Sequence, residues 1–122
     1  MRIKVVAQLR EQFDAWVQQQ RQPAAMPEAR AAIEGEQVFM LNTCVSCHTI
    51  SGTQANGHIG PDLTHIGSRA TLAAGVLANT PENLRHWIQS AQEVKPGVVM
   101  PDFGTLPEDD VRALVAYLGA LR

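Results

Sequence analysis

The chain has 122 residues and a formal charge of −2, enough for one ordinary domain and too acidic overall for a sequence-independent nucleic-acid binder. Hydrophobic residues make up 45% and aromatics only 5% (Phe13, Trp16, Phe39, Trp87, Phe103 and Tyr117), so a core of Ala, Val and Leu lacks large rigid fillers. No apolar run approaches the ~18 residues of a membrane span, and Cys44 and Cys47 are too few for a disulfide framework, so they point to a site.

Residues 1–8 alternate approximately as a strand does. Met1-Arg2-Ile3-Lys4 is basic, but Val5-Val6-Ala7 ends at Gln8, far short of the ~7–15 apolar residues of an export signal. Glu11 to Gln20 reads as a short helix, with Phe13, Trp16 and Val17 at i, i+3 and i+4 on one face. The polar, then small, residues 18–25 read as a linker. A lone strand leaves its backbone groups unbonded, so this piece either decorates the domain that follows or belongs to another unit.

A second helix is expected from Pro27, in its first turn, to about Asn42, with Glu28 complementing the dipole. Gly35 costs this helix about 1 kcal/mol against Ala. It shares a face with Ala32 and Phe39, and a close crossing by another helix accounts for it. A weaker helical stretch is expected over residues 72–77. Thr80 as cap and Pro81 at the first position announce a helix whose stripe is Leu84, Trp87 and Ile88. The last helix starts near Pro107, carries Glu108, Asp109 and Asp110 in its first turn, and aligns Val111, Leu114, Val115 and Leu118. Residues 51–60 and 95–104 are Gly- and Pro-punctuated loops. The pattern is all-α, with long loops that need something to fold around.

Cys44-Val45-Ser46-Cys47-His48 is a C-x-x-C-H run, the attachment signature of a c-type haem. Two thiols on one turn can add to the two vinyl groups at one porphyrin edge, and the next residue then projects an imidazole at the iron. A large flat apolar group also fills an aromatic-poor core. The competing readings are weaker: a thioredoxin-like pair needs a βαβ context, and a zinc site needs four ligands, for which His58 and His65 stand at unfamiliar intervals.

For the opposite face of the iron the candidates are Met26, Met40, Met100, His58, His65 and His86. Met26 lies in the linker, Met40 on the helix before the cysteines, and His86 off the inward stripe of its helix; His58 and His65 read as ordinary loop residues. Met100 stands between Pro96 and Pro101, which stiffen its loop, and a stiff loop can hold a soft thioether at bonding distance. The alternative is Met100 as core filler. His/Met ligation closes both axial positions and raises the potential, favouring electron transfer over oxygen chemistry.

With these residues, residues 27–121 resemble class I cytochromes c. Gly35 and Phe39 match the family's first helix, and Leu114, Tyr117 and Leu118 the last helix that crosses it. The resemblance implies an all-α fold of short helices wrapped around one haem c, held through two thioethers at Cys44 and Cys47, with His48 and Met100 on the iron. Gly60-Pro61-Asp62-Leu63 looks like the loop whose proline carbonyl accepts a hydrogen bond from the ligand imidazole, which gives that role to Pro61. Trp87 resembles the tryptophan that bonds a haem propionate, and Arg69 is a further candidate there.

A narrower resemblance is to the cytochrome c domain fused to subunit II of caa3-type cytochrome c oxidases. It is carried by Gly67-Ser68-Arg69-Ala70-Thr71-Leu72-Ala73-Ala74-Gly75, by Asn79-Thr80-Pro81-Glu82-Asn83-Leu84, and by Trp87-Ile88 and Lys95-Pro96-Gly97. Residues 1–7 with Phe13-Asp14-Ala15-Trp16 are similar to the last strand and exit helix of that subunit's copper-A domain, where a methionine matching Met1 is the final copper ligand. The other copper ligands are missing, so this chain builds no copper-A site itself. Gln89-Ser90-Ala91-Gln92 departs from the family, which often has an acidic residue and proline there.

The resemblance divides the chain into residues 1–25, a strand-plus-helix remnant of the copper-A domain and linker, and residues 26–122, the cytochrome c domain. It implies an electron-transfer domain and not an enzyme on its own, delivering electrons to copper-A from a quinol-oxidising complex or another cytochrome. Haem attachment outside the bacterial cytoplasmic membrane implies an extracytoplasmic (periplasmic) location. With no export signal or anchor of its own, we expect an excised domain whose only link to the membrane is the parent's anchor. Residues 1–22 carry +2 and residues 23–122 carry −4, so a tether, not a basic docking face, would raise the local concentration of the acceptor. The alternatives are a free-standing or differently fused cytochrome c, or a haem peroxidase or sensor with an open sixth site.

Overall fold

The structure, a computed structural model, describes residues 5–122. In chain order it forms α1 (Arg10–Gln20), α2 (Arg30–Leu41), α3 (Cys44–Cys47), a 3-10 turn (Ile66–Ser68), strands β1 (Thr71–Leu72) and β2 (Leu77–Ala78), α4 (Pro81–Gln89), α5 (Ala91–Val94) and α6 (Glu108–Ala120). The chain is mostly helical with one small antiparallel hairpin, in keeping with the all-α expectation.

The frame is the crossing of α2 and α6. Ala32, Gly35 and Phe39 fall on one face of α2, and Val111, Ala113, Leu114, Tyr117 and Leu118 on the facing side of α6. The rings of Phe39 and Tyr117 meet edge to face at 5.8 Å, an arrangement their quadrupoles favour. Gly35 makes the crossing possible: a Cβ there would run into the Ala113 carbonyl and come within 2.7 Å of the Tyr117 Cβ. The helix-propensity cost of Gly35 is the condition for this close approach.

α4 starts as its sequence dictates, with the Thr80 hydroxyl accepting from the Asn83 N–H at 3.2 Å and Pro81 at the first position. Leu84 and Ile88 are its buried residues. α6 begins after Pro107 with Glu108, Asp109 and Asp110 in its first turn.

Several expectations need correction. The helix expected from Pro27 begins at Arg30, with Ala29 extended at its cap, so Pro27 and Glu28 stand before it. The reason lies upstream: the Ala24 N–H bonds the Ser51 carbonyl (2.9 Å), and the chain must cross this edge before it can turn into α2. The stretch 72–77 is not helical but the turn of a hairpin. Ala73 (φ 51°) and Ala74 (φ 60°) occupy the left-handed region, which reverses the chain where a right-handed helix would carry it on. α3 and α5, one turn each, were not legible as helices.

The expected N-terminal strand falls partly on residues 1–4, outside the described residues, as does the Met1 assignment; residues 5–9 are in no strand. α1 forms but has no buried residue, and Phe13 and Trp16, 5.8 Å apart, are half-exposed. Among the described residues no helix is long and apolar enough to cross a membrane.

Candidate functional site

A cavity of about 690 Å³ opens between α3, the hairpin, α4 and the loop before α6. It is within the ~300–1,000 Å³ typical of small-molecule and cofactor sites. Cys44, Cys47, His48, Pro61, Arg69, Trp87 and Met100 all line it, while Met26, Met40, His58, His65 and His86 do not. Leu84, Ile88, Phe103, Leu114 and Leu118 supply much of the apolar remainder.

One wall carries the two thiols and the imidazole. Cys44 and Cys47 sit one turn apart on α3, and the helix stops because His48 turns extended (φ −110°, ψ 145°) while its N–H still bonds the Cys44 carbonyl. The His48 Nδ1 lies 2.7 Å from the Pro61 carbonyl oxygen. A hydrogen on Nδ1 donates to that oxygen, which leaves the Nε2 lone pair free for a metal. Gly60 lies against the ring: a Cβ there would stand 2.7 Å from Nδ1 and 3.0 Å from Nε2. The wall is laced by backbone bonds from Gly60 N–H to the Cys47 carbonyl (2.7 Å), Leu63 N–H to Thr49 (2.8 Å) and Gly57 N–H to His48 (3.1 Å). Burial pushes the Cys44 thiol up from its ordinary value, as a thiol in an apolar wall should be.

Behind Pro61, burial alone would raise the Asp62 carboxyl. Hydrogen bonds from the Thr64 hydroxyl and N–H (2.7 Å), with the nearby Arg69 and His65, outweigh that and hold it below the usual carboxylate value. The Arg69 guanidinium also donates to the Asp62 carbonyl, so it ties this loop at the cavity edge.

Met100 also lines the cavity, in a loop where Gly97 takes a positive φ (81°) and Val98 N–H reaches back to Lys95 at 3.2 Å. The Gln92 amide on α5 donates to the Val98 carbonyl and, at 2.8 Å, to the Met100 carbonyl. Its own backbone N–H is accepted by the Asp102 carboxylate at 2.8 Å. Sequence reasoning credited the stiffness of this loop to Pro96 and Pro101 and missed Gln92 and Asp102. The only sequence signal was the local departure from the family pattern at Gln92.

His65 was also misjudged. It is buried, not an ordinary loop residue, with Nε2 3.1 Å from the Gln22 carbonyl and Nδ1 without a partner. His86 is exposed on α4, 3.7 Å from Glu93.

The residues present fit a covalently held haem: paired thiols on one turn, an imidazole beside them with one nitrogen engaged, and an apolar cavity that the Met100 thioether also lines. They do not fit zinc, because among the described residues no three His, Cys, Asp or Glu side chains cluster to hold a metal ion.

Comparison with known sequences points the same way. The profile of the cytochrome c family matches residues 32–122. The whole chain aligns with proteins named cytochrome c oxidase subunit 2, at 39% identity in Alkalihalophilus pseudofirmus, 36% in a Bacillus species and 29% in Bacillus subtilis. It covers 35% of each, so the chain spans about a third of the length of the curated relatives it matches.

Proposed function

The chain belongs to the cytochrome c family, and from that premise we propose that it is a one-electron carrier domain holding one haem c, with Cys44 and Cys47 as the thioether anchors and His48 and Met100 as the axial ligands. The observation that carries this reading is that the C-x-x-C-H turn and Met100 line one and the same apolar cavity.

When bound, the haem supplies a one-electron ferric/ferrous couple. The chain's residues do the rest. Two covalent anchors on α3 prevent loss of the group from a small domain. His48 presents Nε2 while Pro61 fixes its tautomer and ring direction. The Met100 thioether would hold the iron as a second protein ligand, which would keep oxygen and peroxide off the metal and favour the reduced state. Leu84, Ile88 and Leu114 would keep water from the ring, and Trp87 and Arg69, which also line the cavity, would bond the propionates.

The relatives are named as oxidase subunits, and on that ground we place the domain in a caa3-type terminal oxidase on the extracytoplasmic side of the membrane. There it takes electrons from a quinol-oxidising complex or another cytochrome and delivers them to copper-A. Residues 1–25 are then the remnant of the copper-A domain and linker. The domain itself catalyses no reaction beyond electron exchange.

Optical spectroscopy of the haem-loaded protein tests the carrier. A low-spin ferric spectrum with a Met–iron charge-transfer band, abolished in Met100→Ala, is expected; a high-spin wild-type spectrum with rapid carbon monoxide binding overturns the reading. Stopped-flow mixing of the reduced protein with an oxidised copper-A domain tests the partner. Absence of electron transfer there removes the oxidase assignment and leaves the carrier.

A further inference from the structure

We infer that Gln92 is the positioning residue that holds the Met100 loop in its ligating place, an inference that rests on Met100 being the sixth ligand. The backbone tie of this loop to a helix lies beyond Met100, where the Phe103 N–H bonds the Ile88 carbonyl of α4 at 3.1 Å. Pro96 and Pro101 have no N–H to donate, and among the described residues the Val98 N–H to Lys95 is the only bond donated by a backbone N–H between residues 96 and 102 to another backbone group. That bond closes a local turn and does not tie the loop to a helix.

The Gln92 amide supplies the tie at Met100 itself. A carboxamide nitrogen has two hydrogens, and here both are used, on the carbonyls of Val98 and Met100 that flank the exposed Val99. The donor is itself framed. Ala91 beside it is fully buried, Val94 and Lys95 N–H groups bond Ser90 and Ala91 across α5, and Asp102, beyond the loop, accepts from the Gln92 N–H. One residue thus fixes the backbone on both sides of the ligand's own peptide unit. Half-buried bonds of this kind are stronger than exposed ones and cost more to leave unmade. Proline stiffness limits how the loop can bend, whereas Gln92 decides where it rests.

The test uses the haem-loaded protein and two variants. Gln92→Glu keeps the size and replaces the one amide nitrogen, with both its hydrogens, by an acceptor oxygen facing two carbonyls, and Gln92→Met keeps the length without any donor. Exogenous imidazole must displace Met100 from ferric iron, so its apparent affinity reports how readily the loop opens. Losing two bonds predicts about tenfold tighter imidazole binding in Gln92→Met, more in Gln92→Glu, and a weaker charge-transfer band in both. Thr80→Ala, which removes the cap of α4 without touching the loop, is the control: it lowers the unfolding temperature but leaves imidazole affinity unchanged. Wild-type imidazole affinity in both Gln92 variants, or affinity that only tracks lost thermal stability as in Thr80→Ala, overturns the inference. Absence of the charge-transfer band in the wild type overturns Met100 ligation itself, a distinct failure.

Discussion

On the His48 side of the cavity the chain is fixed by its own backbone: amides of Gly57, Gly60 and Leu63 bond carbonyls of residues 47–49, and Gly60 lets the loop touch the imidazole. On the Met100 side one backbone bond, from the Phe103 N–H to the Ile88 carbonyl, holds the end of the loop, and the stretch around Met100 is fixed by side chains, the amide of Gln92 and the carboxylate of Asp102. Backbone bonds persist through most substitutions, and close packing fails abruptly when an atom is added. Side-chain ties can be lost one at a time. The first wall should therefore behave as all or nothing, and the second should loosen by degrees, which is where local opening is expected to begin.

The strongest way to break that comparison is Gly60→Ala. The new Cβ would stand within about 3 Å of three ring atoms of His48, so either the ring or the loop must move, and with them the bonds from Gly60 to Cys47 and from His48 to Pro61. A loss of about 2–3 kcal/mol is expected, the upper range for overpacking, because the neighbour is a held ring and not a flexible chain end. Urea unfolding of the haem-loaded protein measures it. A loss under half of that would show the His48 wall to be as yielding as the other.

Asp102→Ala probes the second wall and should do less. It removes one bond to the Gln92 N–H while the Gln92 amide still reaches both loop carbonyls. The expected cost is about 1 kcal/mol in the same unfolding experiment, with imidazole affinity rising only a few-fold. A collapse of ligation would mean that Asp102, and not Gln92, carries the wall.

The two walls also differ in how far the sequence reveals them. The covalent chemistry of Cys44 and Cys47 admits one residue type at one spacing, so the His48 wall announces itself. Met100, which lines the same cavity, could be singled out for a related reason, since few side chains offer a neutral soft sulfur. Gln92 and Asp102 could not, because any suitably placed donor or acceptor could serve and the partners are brought together only by folding. The same contrast holds in the frame. Gly35 could be read as a helix crossing from its place on the face of Ala32 and Phe39. Ala73 and Ala74, good helix formers, conceal a left-handed turn that the hairpin imposes on them. His65 gave no sign of burial, because what covers it includes Gln22, far away in the sequence.

The smallest effect concerns Asp62, one of the side-chain ties that supplement the backbone bonds of the His48 wall. Its carboxyl titrates below the ordinary 3.8 in the folded chain, because bonds from Thr64 with the charges of Arg69 and His65 outweigh its desolvation. The folded state therefore binds its proton less readily than the unfolded state. The resulting stability is fully present above about pH 4 and is lost as the pH falls through the folded value. Asp62 is largely exposed, so solvent screens part of this, and added salt should weaken the Arg69 share further. In Asp62→Asn the urea midpoint should be slightly lower than in the wild type at neutral pH, and the gap should close below pH 4. If the comparison of the walls is right, acid lowers the wild-type midpoint across this range before the Met–iron band fades, since the tie being lost lies on the His48 side. Fading of the band ahead of the midpoint would instead locate the acid-sensitive tie at Met100.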